Sequence, residues 1–242
     1  MTDLVLDFGN TRIKAACFED GKLADVRFFD SPDALLKETP FIGACEKIML
    51  SSVTNDHVSF IEEWQSQKPI TVFNNGLKLP LKNLYKSPET LGSDRLLASV
   101  GAYAEFPDKP VLTIDFGTCI KYNFTNSANE FLGGAISPGI RMRYKALHEF
   151  TEKLPLQDTD FNFDELIGTD TAGSLHSGVI TATLEEVKGM MAQYRLKFPG
   201  LVTVFTGGDH EFFVKRLKSS IFADPHLVMK GLHYVLNYQL EN

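Results

Sequence analysis

Leu4-Val-Leu-Asp-Phe-Gly-Asn-Thr-Arg-Ile-Lys14 contains a pattern that returns later in the chain as Leu112-Thr-Ile-Asp-Phe-Gly-Thr-Cys-Ile-Lys121. In both copies, Asp-Phe-Gly follows a short apolar run of β-forming residues. An alternating segment that suits the return strand of a hairpin comes next. The second copy begins near the middle of the 242 residues. The pattern therefore predicts a duplicated domain rather than a short solenoid repeat.

Strand and helix signals alternate along the rest of the chain. Ser31 is the predicted N-cap of a helix with Pro32 at its first position, and Ser93 is the predicted N-cap of a helix that runs to about Phe106. The alternation predicts an α/β fold. Further strands are predicted at 47–53, 70–73, 111–124 and 201–205, further helices at 56–67, from 141, at 172–197, after Asp209 and at 224–239, and a Gly/Pro loop at 133–139.

The length suits two domains, each with its own core. Pro107-Asp-Lys-Pro110 is the boundary signal near the middle of the sequence, and no low-complexity linker accompanies it. We therefore predict domains at 1–108 and 109–242.

The composition disfavours several classes of protein. The net charge is −7 and no dense Lys/Arg run is present, so nucleic-acid binding is disfavoured. No apolar stretch approaches the roughly 20 residues of a membrane helix, and the N-terminus lacks signal-peptide regions. The cysteines and histidines show no zinc-ligand spacing. We expect a cytoplasmic protein that binds neither nucleic acid nor a membrane.

Each Asp-Phe-Gly copy could hold a cation and a phosphate. An Asp at a strand end, followed by glycine and then Asn or Thr, presents a carboxylate beside exposed backbone N–H groups. Asp7 to Lys14 and Asp115 to Thr118 both fit this description. Either copy alone could instead be a tight hairpin that needs glycine for its geometry. Two copies in one chain favour the phosphate interpretation.

Gly92-Ser-Asp-Arg95 places a carboxylate and a guanidinium at a predicted helix N-terminus. The helix dipole would keep Asp94 ionised and ready to accept a proton, and Arg95 could bind an anionic substrate. In the alternative interpretation, Asp94 only stabilises the helix and Arg95 is a solvated surface residue. The spacing alone leaves both open.

Two glycine-rich segments could approach a ligand closely: Gly133 to Gly139 and Gly207-Gly208. Each is weakly specific, since loops and strand-to-helix turns also use glycine. The chain has neither a GxGxxG fingerprint nor a GxxxxGK[ST] P-loop, so a phosphate site must have another design.

Taken in order, the motifs resemble those of the type III pantothenate kinase family, within the acetate and sugar kinase, heat-shock 70 and actin superfamily. The resemblance spans most of the chain. It rests on Asp7–Lys14, Tyr85 with Leu91–Arg95, Asp115–Thr118, Gly133–Gly139, Thr151–Pro155, Gly168–Thr171 with Ser177-Gly178, and Thr206–Asp209.

The resemblance implies two RNase H-like, actin-like ATPase domains with a nucleotide cleft between them, and a homodimer. It implies transfer of the ATP γ-phosphoryl group to pantothenate, the first step of coenzyme A biosynthesis. Mg²⁺ and a monovalent cation, K⁺ or NH₄⁺, are the implied cofactors.

By position, the resemblance also assigns roles to residues. Asp94 is the general base, Asp115 holds the monovalent cation, and Asp7 is associated with Mg²⁺. The remaining assignments are ATP binding by Asp7, Phe8, Gly9, Asn10, Thr11, Arg12, Ile13, Lys14, Thr118, Gly207 and Gly208, and pantothenate binding by Tyr85, Gly92, Ser93, Asp94, Arg95 and Thr171.

The chain departs from the family pattern after Asp115-Phe-Gly-Thr. The family usually continues with Ala, an apolar residue, Thr, an apolar residue and Asp, whereas this chain has Cys119-Ile-Lys-Tyr-Asn123. If Lys121 and Asn123 reach the cleft, the added positive charge and lost carboxylate would alter cation dependence or phosphate affinity. The interpretation we favour puts Lys121 on the solvent side of an edge hairpin, because alternation places Tyr122 on the other face.

Two rival functions remain open at this stage. One is another small-molecule kinase of the same superfamily, which Gly92 to Arg95 disfavours. The other is a non-catalytic actin-like regulatory relative, which the presence of both Asp7 and Asp94 disfavours.

Overall fold

The computed structural model describes residues 2–9, 12–52, 57–217 and 220–241. Contacts group the chain into two compact units. The first contains residues up to Pro107, Asn129–Phe131 and the segment from His226 onward; the second contains Asp108–Ala128 and Leu132–Pro225.

The first half of the chain begins with an antiparallel meander and continues with alternating helices and strands. Ser31 caps the first helix as predicted, because its hydroxyl accepts a hydrogen bond from the Ala34 N–H at 3.2 Å, and Pro32 opens that helix. The elements are β1 (Thr2–Phe8), β2 (Ile13–Glu19), β3 (Lys22–Phe29), α1 (Pro32–Leu36), α2 (Thr39–Gly43), β4 (Lys47–Ser52), α3 (Val58–Trp64), β5 (Ile70–Val72), β6 (Lys82–Asn83), a 3₁₀ turn (Pro88–Thr90) and α4 (Ser93–Glu105).

The second half repeats the meander and ends in helices. Most of the segment predicted as a Gly/Pro loop at 133–139 lies in a strand that ends at Pro138, in which Gly133 and Gly134 have φ values of 101° and 155°. The elements are β7 (Val111–Phe116), β8 (Cys119–Thr125), β9 (Glu130–Pro138), α5 (Ile140–Glu149), α6 (Thr171–His176), a π-helical turn (Ser177–Thr181), α7 (Ala182–Lys197), β10 (Val202–Thr206), α8 (His210–Leu217), β11 (Phe222–Ala223) and α9 (Leu227–Glu241).

The two sheets share one topology. In the first unit the order is β3-β2-β1-β4-β5, with β1 antiparallel to β2 and parallel to β4. The second sheet has the order β6-β9-β8-β7-β10-β11, and its strands from β9 to β11 repeat that order, with β7 antiparallel to β8 and parallel to β10. The two Asp-Phe-Gly copies end the equivalent strands β1 and β7. The duplication predicted from sequence is therefore a duplication of structure.

Each unit has its own apolar core. In the first, β1 and β2 pack against α1 and α3 through buried residues such as Leu4, Phe8 and Phe60. In the second, β7 and β8 pack against the long helical segment and α8 through residues such as Phe116, Ile180 and Phe213.

The C-terminal helix α9 packs against α4 in the first unit. A Cβ on Gly101 would lie 2.3 Å from the Leu227 carbonyl oxygen, and one on Gly231 would lie 1.9 Å from that of Leu97. Glycine at both positions lets the two helix backbones approach closely. The close packing of α9 holds α4 in position, and Asp94 and Arg95 lie at the start of α4. Within the described ranges, no helix is both long and apolar enough to cross a membrane.

Candidate active site

The first Asp-Phe-Gly copy places Asp7 at the carboxyl end of β1. Asp7 lies opposite Lys14 on β2 and beside Ser51 on β4. The Ser51 hydroxyl donates a hydrogen bond to Asp7 Oδ1 at 2.8 Å, which orients the half-buried carboxylate. The turn is closed by the Gly9 N–H, which donates to the Arg12 carbonyl at 3.3 Å. Ser51 was not predicted from the sequence as a site residue. Its place at the end of the parallel strand next to β1 could have indicated it, because the ends of adjacent parallel strands meet at one edge of the sheet.

The rest of the first predicted phosphate loop divides between core and surface. Phe8 and Ile13 are buried, so their side chains support the loop rather than face a ligand. Arg12 is exposed, with its guanidinium 5.1 Å from the ring centroid of Phe28. Asn10 and Thr11 lie outside the described residues, and the nucleotide contacts assigned to this loop stay predictions.

Helix α4 begins one residue earlier than predicted, at Ser93 rather than after it. Gly92, with φ −60° and ψ 132°, is the N-cap, and Ser93 is the first helical residue, so the predicted Ser93 cap is wrong. The Arg95 N–H donates to the Gly92 carbonyl at 3.1 Å, and Asp94 Oδ1, from inside the first turn, accepts from the same N–H at 2.8 Å. Asp94 is half-buried, so its carboxylate is also accessible to a reacting group.

Arg95 is buried, with 4% of its surface exposed, which excludes the solvated surface interpretation. Its Nη1 lies 3.5 Å from the Tyr85 hydroxyl, and its guanidinium lies 5.4 Å from the centroid of that ring. The Asn75 amide holds the segment before α4 by donating to the carbonyls of Pro88 and Leu91 at 2.6 and 3.2 Å. Three predicted pantothenate-site residues, Tyr85, Asp94 and Arg95, therefore lie together in the first unit.

Thr171, the remaining predicted pantothenate residue, lies in the second unit. It is exposed at the first position of α6, whose N-cap Asp170 accepts a hydrogen bond from the Gly173 N–H at 2.7 Å. Its assigned role stays a prediction.

The second Asp-Phe-Gly copy places Asp115 at the end of β7, opposite Lys121 on β8. Lys121 Nζ lies 2.7 Å from Asp115 Oδ2, and the two side chains are 18% and 12% exposed. The favoured interpretation of Lys121 as a solvent-facing residue of an edge hairpin is wrong. Strand β8 is not an edge, because β9 pairs with its other side.

Tyr122 points away from Lys121, as strand alternation predicts. It is 1% exposed, and its hydroxyl donates to Glu186 Oε1 at 3.3 Å. Desolvation by burial, with a smaller contribution from Glu186, raises the pKa of Tyr122 well above its ordinary value. The phenol therefore stays protonated and belongs to the core behind the site.

The turn after β10 lies directly on the second Asp-Phe-Gly copy. The Asp209 N–H donates to the Phe116 carbonyl at 3.0 Å, and the Gly139 N–H donates to the Thr118 carbonyl at the same distance. Arg141 binds both carboxylate oxygens of Asp209 through Nη1, at 2.9 and 3.0 Å. Arg141 was not predicted from the sequence as a site residue. Its position at a helix start, just after a glycine-proline segment, is typical of a residue that faces an anion.

The second unit thus brings Asp115, Thr118, Gly207 and Gly208 together around one turn. Thr118 and Gly208 are exposed, and a Cβ added to Gly208 would meet no atom within 4 Å. Backbone N–H groups and small residues at a strand end are the components of a phosphate-binding concavity.

The comparison with known families decides what kind of protein carries these sites. Residues 3–193 match the sequence profile of the type III pantothenate kinase family. The chain belongs to the type III pantothenate kinase family. Named relatives cover the whole length: the type III pantothenate kinase of Flavobacterium johnsoniae is 36% identical over 99% of both chains, and that of Christiangramia forsetii is 39% identical over 98% of both.

Solved structures agree on the fold at much lower identity. A chain from Campylobacter jejuni named as a Baf family transcriptional activator has a TM-score of 0.68 at 18% identity, covering 99% of this chain and 100% of its own. The ROK hexokinase from Thermus thermophilus has a TM-score of 0.54 at 14% identity, covering 100% and 99%. The predicted α/β fold of the actin-like type is confirmed for this chain.

Proposed function

We propose that the chain is a pantothenate kinase that transfers the γ-phosphoryl group of ATP to the primary hydroxyl of pantothenate, the first step of coenzyme A biosynthesis. The observation that carries the proposal is membership of the type III pantothenate kinase family over nearly the full length. The grouping of Tyr85, Asp94 and Arg95 at the start of α4 supports it.

Asp94 acts as the general base in this proposal. The reaction forms a bond between the pantothenate hydroxyl oxygen and the γ-phosphorus, breaks the bond to the β–γ bridging oxygen, and releases the hydroxyl proton and ADP. One carboxylate oxygen, Oδ1, is occupied by the Arg95 N–H. Asp94 accepts the proton through the carboxylate that this bond holds in place.

Arg95 binds the substrate carboxylate. A guanidinium that is buried and packed beside Tyr85 has already lost most of its hydration, so an arriving carboxylate forms strong charged hydrogen bonds with it. The anchored segment before α4 keeps this group in place before substrate arrives, which lowers the entropic cost of orienting the hydroxyl.

The phosphates are proposed to bind at the turns that follow β1 and β7, with adenosine beside Gly207 and Gly208. Mg²⁺ fits the first turn, because the half-buried Asp7 carboxylate is the oxygen ligand that this ion prefers. Bound there with ATP, Mg²⁺ would neutralise phosphate charge. A monovalent cation fits the second turn less well, because the Lys121 ammonium already contacts Asp115.

The test of the proposal is direct detection of product. Purified protein is incubated with ATP, Mg²⁺ and pantothenate, and phosphopantothenate is measured by mass spectrometry, with acetate and glucose as alternative acceptors. Product from pantothenate alone is the expected result. Nucleotide binding without phosphopantothenate would overturn the proposal, whether another acceptor is phosphorylated or none is.

The homodimer implied by the resemblance is part of the same proposal. Light scattering on the purified chain tests it, and the mass of a single chain at working concentration would contradict it.

A further inference from the structure

The ion pair between Asp115 and Lys121 lies where the resemblance assigns a monovalent cation. The two residues are directly opposite each other in the β7–β8 register, so the backbone brings them together. The distance of 2.7 Å between Lys121 Nζ and Asp115 Oδ2 is that of a charged hydrogen bond. Both side chains are largely shielded from water, so the pair is screened much less than a surface salt bridge.

The other carboxylate oxygen of Asp115 is also enclosed. Gly207 has a φ of +90°, and a Cβ at this position would lie 2.3 Å from Asp115 Oδ1 and 2.6 Å from the Phe116 backbone nitrogen and oxygen. The turn after β10 therefore covers Oδ1, while Lys121 covers Oδ2. A free K⁺ that used this carboxylate would have to displace the ammonium.

Asn123 is a second departure from the family pattern, and it too makes the surroundings of Asp115 less negative. It lies two residues beyond Lys121 on β8, is fully buried, and stands where the family pattern usually has Asp. Relative to that pattern, Lys121 adds one positive charge and Asn123 removes one negative charge. Both changes disfavour a bound cation by Coulomb repulsion or loss of attraction.

We propose that the Lys121 ammonium permanently replaces the monovalent cation, so that this chain supplies from its own sequence the positive charge that K⁺ or NH₄⁺ supplies elsewhere. The inference rests on the proposed kinase function. A tethered ammonium needs no ion from solution, and its effective concentration beside Asp115 is fixed by the strand pairing. Activity and nucleotide binding of this chain are therefore independent of K⁺ and NH₄⁺.

The first test measures the wild-type chain in choline chloride, KCl or NH₄Cl at equal ionic strength, with buffers free of alkali cations. Phosphopantothenate formation is expected to be the same in all three. A rise of about tenfold or more in KCl or NH₄Cl, the size of effect expected when a charge at the transferring phosphate is supplied, would overturn the proposal. This test needs no variant and so does not depend on the folding of one.

The second test creates a need for the ion. Lys121→Gln removes the charge at nearly constant length, and is expected to lower activity in choline chloride by at least about tenfold, with recovery in KCl or NH₄Cl. Lys188→Ala is the matched control, because Lys188 forms an exposed ion pair with Glu185 on α7 in the same unit. A merely structural lysine would give a loss that choline and potassium salts affect equally, and that outcome would contradict the proposal.

The third test measures nucleotide binding and cation binding at the site in the absence of catalysis. Binding of a non-hydrolysable ATP analogue is measured by calorimetry in choline and potassium chloride, and Tl⁺ is soaked into crystals as an anomalous substitute for K⁺. We expect equal affinities and no Tl⁺ peak at Asp115 in the wild type, and tighter binding in KCl with a Tl⁺ peak in Lys121→Gln. A wild-type Tl⁺ peak at Asp115 would overturn the proposal.

The third test also separates the two proposals. If no phosphopantothenate forms under any condition, the proposed function fails, whereas the analogue affinities and the Tl⁺ peak still report whether Lys121 takes the place of the ion.

Discussion

The guanidinium of Arg95 lies over Tyr85, 5.4 Å from the ring centroid, while its Nη1 is 3.5 Å from the tyrosine hydroxyl. The aromatic ring holds a buried, planar cation in one orientation, which suits the recognition of a carboxylate by two parallel hydrogen bonds. A lysine at this position would keep the charge but lose that geometry.

We therefore expect Arg95→Lys to raise KM for pantothenate by about tenfold, as expected for the loss of one charged hydrogen bond. KM for ATP should change little. Initial rates at varied pantothenate and ATP measure both constants. Arg27→Lys is the control, because Arg27 also lies over an aromatic ring, that of Phe41, but outside the predicted site. An unchanged pantothenate KM in Arg95→Lys would remove Arg95 from substrate recognition.

Asp94→Asn should lower kcat by about 10²- to 10⁴-fold, because the amide cannot accept the hydroxyl proton. The amide oxygen can still accept the hydrogen bond from the Arg95 N–H, so α4 should begin normally and KM for ATP should be nearly unchanged. Single-turnover rates of phosphopantothenate formation measure the chemical step. Asp33→Asn, in the first turn of α1, controls for loss of a helix-terminal charge alone. Near-normal turnover in Asp94→Asn would exclude the general-base role.

Gly207→Ala should destabilise the fold by about 1–3 kcal/mol, because the backbone has φ +90° and the new methyl group would press on Asp115 and Phe116. Chemical denaturation measures the free energy of unfolding. Gly208→Ala is its neighbour and matched control, with open space around the added methyl group. We expect Gly208→Ala to keep the stability and to weaken ATP binding. Equal stability of the two variants would show that the methyl group added at position 207 does not press on Asp115.

The buried His233 should make the chain less stable in mild acid. Its Nε2 lies 3.0 Å from Asp3 Oδ2 and its ring stacks on Phe18 at 3.9 Å, and desolvation lowers its pKa below the ordinary 6.5 despite the favourable carboxylate. The unfolded chain therefore takes up a proton at a higher pH than the folded chain. The stabilisation of the folded chain by neutral His233 is complete above pH 6.5 and is lost as the pH falls below that value.

We expect the free energy of unfolding to fall less steeply between neutral pH and pH 5 in His233→Gln than in the wild type, measured by urea denaturation at each pH. His148→Gln is the control, because His148 is exposed on α5. Parallel slopes for the wild type and His233→Gln would contradict this account.

Particular residues show which features of the structure can be predicted from the sequence. Asp7 and Asp115 lie at equivalent strand ends because the features that place them are local: an apolar β-forming run, a glycine turn and an alternating return strand. The capped start of α1 is local in the same way, since Ser31 bonds to a residue three positions away. Signals of this kind can be read without knowing what packs above them.

Ser93 and the segment 133–139 show where local patterns mislead. Three glycines and a proline indicate a loop, yet β9 forms there because β8 offers a partner for its backbone. Ser93 is a strong capping residue by type, yet Gly92 is the N-cap, and the Arg95 N–H donates to the Gly92 carbonyl and to Asp94 Oδ1. In both cases the choice depends on hydrogen bonds that residue type alone does not specify.

The sequence by itself determined the duplicated α/β organisation, the two Asp-Phe-Gly turns and the family, because these depend on short-range periodicity and on ordered motifs. Only the tertiary structure decided that Lys121 contacts Asp115 and that α9 covers α4. Strand alternation fixes which face of the sheet a side chain occupies, but its contacts there depend on the residue opposite it and on what packs over that face. The β7–β8 register places Lys121 opposite Asp115, so the predicted surface lysine is a shielded partner of that carboxylate.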